Sequence, residues 1–284
     1  MPFTRAYEEH EVSPDLRKLY RDVCCSLDLP FVPTLFKVLA ASPTYLRLMW
    51  SDLGPVARSK EFQSATVALQ EIVRSGAVRG GWRFTDQAKA LSAEHFTAQD
   101  IEVLAHIPGI FLRTLCAMAL FTRLMQRGYA GGQRGRVTEG KQAAALARVM
   151  RLQIPNERDA GLRVWLVYSD IRRTLGARNV MSVFRVLSPY PGYLASTWVE
   201  TKKAMQAPGF MRARDDVNRR ALALITGLPV ADHRDEGREV PAAQWREIED
   251  LVDGFARQIP QLALATAVWQ RSFPLASSDI VRSA

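Results

Sequence analysis

Residues 20–50 read YRDVCCSLDLPFVPTLFKVLAASPTYLRLMW, and residues 168–198 read YSDIRRTLGARNVMSVFRVLSPYPGYLASTW. Laid over each other without a gap, at an offset of 148, eleven of the 31 positions are identical. They are Tyr20/Tyr168, Asp22/Asp170, Leu27/Leu175, Val32/Val180, Phe36/Phe184, Val38/Val186, Leu39/Leu187, Pro43/Pro191, Tyr45/Tyr193, Leu46/Leu194 and Trp50/Trp198. Lys37/Arg185 and Thr34/Ser182 are close substitutions, and Phe62/Phe210 keeps the same offset. An ungapped match of this density marks two copies of one module. A second match runs from Ile107-Pro108 over Ile259-Pro260 to Thr114 over Thr266 at an offset of 152, so the copies differ by a four-residue insertion.

Each copy reads as helical. Ser13-Pro14-Asp15 is an N-cap followed by a first-turn proline, and Thr97 with Asp100 forms a capping-box pattern ahead of an apolar stretch. Apolar residues recur three and four apart in 16–27, 35–49, 101–125, 162–175, 180–187 and 245–269, and no alternating run is bounded by an Asn-Gly or Asp-Gly turn. The pattern predicts an all-α fold of two tandem related helical modules, packed as a pseudo-dimer within one chain. The expected boundaries are residues 1–126 for the first module and 141–284 for the second. Between them lies RGYAGGQRGRVTEG, residues 127–140, whose five glycines suit a linker. Modules related in this way pack about an approximate two-fold axis, and the groove along that axis is a natural ligand site.

With 284 residues, 48% hydrophobic and 24% charged, the chain can bury a sizeable core. Three cysteines, two of them the adjacent Cys24 and Cys25, fit no disulfide framework and no CxxC site, so they are expected to be reduced in a cytoplasmic protein. The opening MPFTRAYEEHEV has no apolar core of a secretory signal. The longest apolar stretch, Ile107 to Met125, is interrupted by Arg113 and Arg123, which argues against a membrane span. A net charge of +9 and a pI near 9.8 favour an anionic substrate or an acidic protein partner. Scattered cations without interleaved aromatics argue against nucleic acid.

Local motifs are sparse. Gly135 to Gln142 reads GRVTEGKQ, but Gln142 stands where a phosphate-binding loop needs Ser or Thr, and no strand precedes it. His10, His95, His106 and His233 have no metal-ligand spacing, so no metal site is expected. Asp22 and Asp170 recur in both copies, which favours a structural carboxylate over a catalytic one. Phe31, Thr34 and Val38 share one helical face, as do Asn179, Ser182 and Val186, and the repeat makes these faces the best candidates to meet.

Three stretches, LPFVPTLFKVLAASPTYL from Leu29, NVMSVFRVLSPYPGYL from Asn179 and IPGIFL from Ile107, resemble the group I 2-haloacid dehalogenases, the DehI family, over nearly the whole chain. That family is all-helical and pseudo-dimeric. The resemblance implies that an aspartate in the second-copy helix and an asparagine before the shared proline activate the water that displaces halide. Matched motif to motif, these positions hold Val183 and Ile107, neither of which can take a proton from water. Ser182 keeps the serine that precedes the aspartate, and a substrate-lining aromatic pair becomes Phe31 and Thr34. The candidate substrate-binding set is therefore Phe31, Thr34, His106, Ile107, Ile110, Asn179, Ser182 and Val183, with no cofactor implied.

Three readings stay open. An apolar lining suits an intramolecular displacement that needs no activated water, and this resembles the aziridine-forming enzymes of azinomycin-type biosynthesis. Those imply loss of sulfate, a substrate tethered to an acidic carrier protein, and a small partner subunit. A hydrolytic 2-haloacid dehalogenase would need another water activator, with His106 or Asp170 as candidates. A non-catalytic binding protein on the same fold is the third. Arg113, Lys37, Arg178 and Arg185 are the cations that could face a leaving group.

Overall fold

The structure is a computed structural model that describes residues 5–130, 152–230, 232–233 and 235–273. Among these residues there are helices and no strands. The first module holds α1 (Pro14–Leu27), α2 (Thr34–Leu39), α3 (Pro43–Arg58), α4 (Lys60–Arg79), α5 (Gln87–Ala93) and α6 (Ala98–Tyr129). The second holds α7 (Leu162–Leu175), α8 (Ser182–Arg185), α9 (Pro191–Gln206), α10 (Phe210–Leu224), α11 (Glu236–Glu239) and α12 (Ala242–Gln270). Both ends of α1 and α3, and the start of α2, recur in α7, α9 and α8 at the offset of 148. So does a short 3-10 turn, Glu9–Glu11 against Glu157–Asp159.

The caps explain the boundaries. Ser13 accepts from the Leu16 amide with Pro14 at N1, and Thr97 and Asp100 close a capping box at the head of α6. The run 35–49, one apolar pattern in sequence, is two helices in the fold. Ser42 stands before Pro43 at φ −121°, ψ 82°, because the proline ring disfavours the α region for its predecessor. Tyr190 before Pro191 takes almost the same angles. The apolar run 180–187 likewise yields only the four-residue α8.

Each module pins its first and third helices with the same bond. The Trp50 indole donates to Asp22 at 2.7 Å, and the Trp198 indole donates to Asp170 at 2.7 Å. Asp22 also meets Arg58, and Asp170 meets Arg173 and Lys202. These carboxylates are structural fixtures of the shared scaffold.

The modules are interlocked along their last helices. α6 and α12 pack against each other more extensively than any other pair, and α4 lies against both α12 and α10. α6 is long and apolar enough to cross a bilayer by length and composition, but 78% of its most apolar window is buried inside the bundle, as a core helix requires. α6 continues through Tyr129, so residues 127–129, expected to open the linker, are helical. The GRVTEGKQ motif and most of the expected linker lie outside the described residues.

Candidate functional site

Thr34 opens α2, and its repeat partner Ser182 opens α8. Their hydroxyls lie 2.8 Å apart, both buried, so the two expected faces meet. A contact between equivalent residues can occur only at the pseudo-two-fold axis. One turn further along each helix stand Lys37 and Arg185, also repeat partners, and both bind the same carboxylate, Glu8. α2 and α8 therefore meet at their first residues, and the hydroxyl pair, the cation pair and the single carboxylate form a column at the axis.

That column is almost dry. The side chains of Lys37 and Arg185 are 6% and 2% exposed, and Glu8 is 14% exposed. Arg185 also donates from Nε to the Pro155 carbonyl at 2.9 Å. Burial pushes the Glu8 carboxyl up, but its bonds to Lys37 and Arg185 outweigh this and leave it below the ordinary glutamate value. Burial lowers the Lys37 ammonium, against the opposing pull of Glu8. Sequence reasoning missed Glu8, which lies upstream of the aligned repeat, although the Lys37/Arg185 pair was visible there.

Around the hydroxyl pair, Phe31 is buried against Phe111 of α6, with ring centroids 4.9 Å apart. The same helix carries His106 and Ile110, both half-buried, and Ile107, fully buried. Asn179 is half-buried just before α8. Val183 is buried and turns to its own module, where it shares a cavity of about 10 Å³ with Thr197, Thr201, Thr266 and Trp269. Such a space holds about one water molecule. The structure thus joins Thr34 directly to Ser182 and packs Phe31 against the helix that carries Ile107 and Ile110, while Val183 lines a niche among residues of the second module.

Of the proposed water activators, Asp170 is unsuited. Lys202, Trp198 and Arg173 hold its carboxyl far below the ordinary aspartate value, which makes it a poor base. The four candidate cations also separate. Lys37 and Arg185 are committed to Glu8, Arg178 is exposed, and Arg113 on α6 pairs with the buried Asp28 at 2.7 Å.

Asp28 caps α1 in the left-handed region, at φ 50° and ψ 56°. Its repeat partner Gly176 caps α7 at φ 61° and ψ 32°. A side chain there costs about 1 kcal/mol relative to glycine. The partner of Arg113 at the offset of 152 is Ala265. This ion pair is thus confined to the first module, and the Asp28/Gly176 mismatch inside the aligned repeat was the sequence signal for it.

The sequence matches the family described as halocarboxylic acid dehydrogenase DehI over residues 30–184 and again over residues 179–282. It is 24% identical over 271 residues to an (R)-2-haloacid dehalogenase of Pseudomonas putida, covering 92% of this chain and 89% of that one. An (R)-2-haloacid dehalogenase of Rhizobium sp. (strain NHG3) is 21% identical over 238 residues, 81% of this chain and 90% of the relative. A solved complex of a D-2-haloacid dehalogenase mutant with D-2-CPA superposes with a TM-score of 0.86 at 20% identity, over 94% of this chain and 95% of that one. A complex of a D-2-haloacid dehalogenase with L-LA gives the same score and coverage.

Proposed function

This chain belongs to the DehI family, and on that premise we propose that it is an enzyme that displaces a leaving group from the carbon beside a carboxylate, with hydrolytic 2-haloacid dehalogenation as its reaction. The observation that carries this reading is the similarity to two 2-haloacid dehalogenases over 92% and 81% of the chain. In the reaction a water oxygen bonds to C2 as the carbon–halogen bond breaks. Halide leaves with the bonding pair, and the water proton passes to a base.

Val183 and Ile107 cannot be that base, and Asp170 is tied into the scaffold. His106 precedes Ile107 on α6 and is half-buried, and an imidazole nitrogen can accept a proton from an attacking water. We assign it the base, with the Thr34 and Ser182 hydroxyls orienting the substrate from the axis. The test is halide release from racemic 2-chloropropionate, resolved by enantiomer. Turnover by the wild type that drops about 100-fold or more in His106→Gln supports the assignment, on the usual scale of general-base catalysis. No halide from a folded wild-type protein removes the hydrolytic reading for that substrate.

The apolar residues at Val183 and Ile107 favour a second reading, ring closure to an aziridine. Here an amine nitrogen in the substrate attacks the carbon, the carbon–oxygen bond breaks, sulfate leaves with the electron pair, and the ammonium proton passes to solvent. Proximity supplies most of the rate, and a tethering acidic carrier protein and a small partner subunit belong to this reading. Sulfate release from a carrier-bound amino-sulfate, without halide release from 2-chloropropionate, would favour it. Carrier binding without either release would leave a binding protein.

A further inference from the structure

We infer that the Arg113 guanidinium, held by Asp28, receives the substrate carboxylate in the candidate site. The inference rests on the proposed action on 2-substituted carboxylates and names the group that recognises the anion.

Three observations carry it. The first is availability. The axial cations Lys37 and Arg185 are buried and already share Glu8, whereas the Arg113 side chain is 35% exposed. An incoming anion can reach Arg113 without breaking the core. The ion pair engages Arg113 through Nη2, and a guanidinium has five N–H donors in a planar fork, which can serve a second carboxylate on another edge.

The second is placement. Asp28 meets Arg113, and Phe31, three residues on, meets Phe111. The segment from Asp28 to Phe31 therefore tracks α6 back toward Ile110 and Ile107, and Arg113 stands one turn beyond Ile110 at the edge of the proposed site. Thr34, which touches Ser182 at the axis, closes the same segment.

The third is asymmetry. The scaffold needs only a left-handed cap after α1 and a small residue on the long helix, as Gly176 and Ala265 show in the second module. The first module instead keeps an aspartate in a conformation that disfavours side chains, facing an arginine. A pair that the fold does not require, present in one copy and beside the site, fits a ligand role. A preoriented guanidinium also binds a carboxylate with less loss of side-chain freedom than an exposed one such as Arg178.

The experiment is calorimetric titration of the full chain with lactate, the 2-hydroxy acid that hydrolysis of 2-chloropropionate would yield, and with uncharged lactamide. The wild type should bind lactate at least about tenfold more tightly than lactamide, and Arg113→Leu should lose at least about tenfold in lactate affinity, as expected for a charge-assisted bidentate contact. Because Arg113→Leu leaves Asp28 without this partner, Asp28→Asn/Arg113→Leu is measured beside it, with folding checked by circular dichroism and thermal melting. Arg113→Lys should lose less than Arg113→Leu. Lactate binding by the folded double variant at wild-type affinity overturns the inference, as does a wild type that does not distinguish lactate from lactamide. Binding breaks no bond, so lactate recognition that depends on Arg113 in a chain releasing no halide would sink the hydrolytic reading and leave this inference standing.

Discussion

Glu8 is a single carboxylate between two buried cations, so replacing it removes the only counter-charge that Lys37 and Arg185 share among the described ion pairs. Glu8→Gln should cost about 3–5 kcal/mol in urea denaturation, the usual cost of leaving a buried charge without its partner. Its pKa lies below the ordinary value in the fold. It therefore contributes stability that is present above the unfolded-state pKa and fades as pH falls through the folded one. The acid limb of a stability-against-pH profile should flatten in Glu8→Gln; an unchanged limb would show that Glu8 is not what acid titrates. The Thr34–Ser182 bond is a milder case. Thr34→Val should cost about 1–3 kcal/mol by leaving the Ser182 hydroxyl buried without its partner, and adding Ser182→Ala should recover part of that loss. Turnover should fall in both variants, whereas unchanged turnover would move the substrate away from the axis.

At the scale of elements, the helices of the aligned repeat were legible because identity at one offset fixed both copies together. α1 follows from its spacing and from the Ser13-Pro14 start, and α7 from its spacing and its match to α1 at the offset of 148. The break within 35–49 was not legible from periodicity, since apolar spacing continues across Ser42; Pro43 decides it. The site was legible only in part. The meeting of Thr34 with Ser182 was legible because equivalent residues must meet at a two-fold axis, whereas the niche that Val183 lines within its own module is something no spacing rule reports. The different residues at the matching caps of α1 and α7 make a test of element-level strain. Nothing lies within 4 Å of where a Gly176 Cβ would stand, at φ +61°, so Gly176→Ala meets only the backbone term and should lose about 1 kcal/mol. Urea midpoints for Gly176→Ala and Gly176→Asn check this, with asparagine losing less because it tolerates the left-handed region better.

For the whole molecule, the question is whether two modules mean two folding units. The structure says one, because the faces that each module would need to bury alone are buried against the other. α6 carries buried residues along nearly its whole length, from Leu104 to Gly128, and its principal neighbour is α12 of the other copy. Leu264 on α12 is fully buried, and its Cδ1 lies 3.6 Å from where a Cβ on Gly76 of α4 would stand. A residue of the second module thus fills space in the first. Leu264→Ala should cost about 2–5 kcal/mol, as a large-to-small change in a packed core does. It should also shift the unfolding of both modules together. Single-tryptophan proteins retaining only Trp50 or only Trp198 would report the two halves separately, through bonds that are equivalent in the repeat. Coincident midpoints that move in parallel when Leu264→Ala is introduced are the expected result. A shift seen by Trp198 alone would mean that each copy buries enough of its own core to unfold independently, and that the pseudo-two-fold interface joins two finished domains.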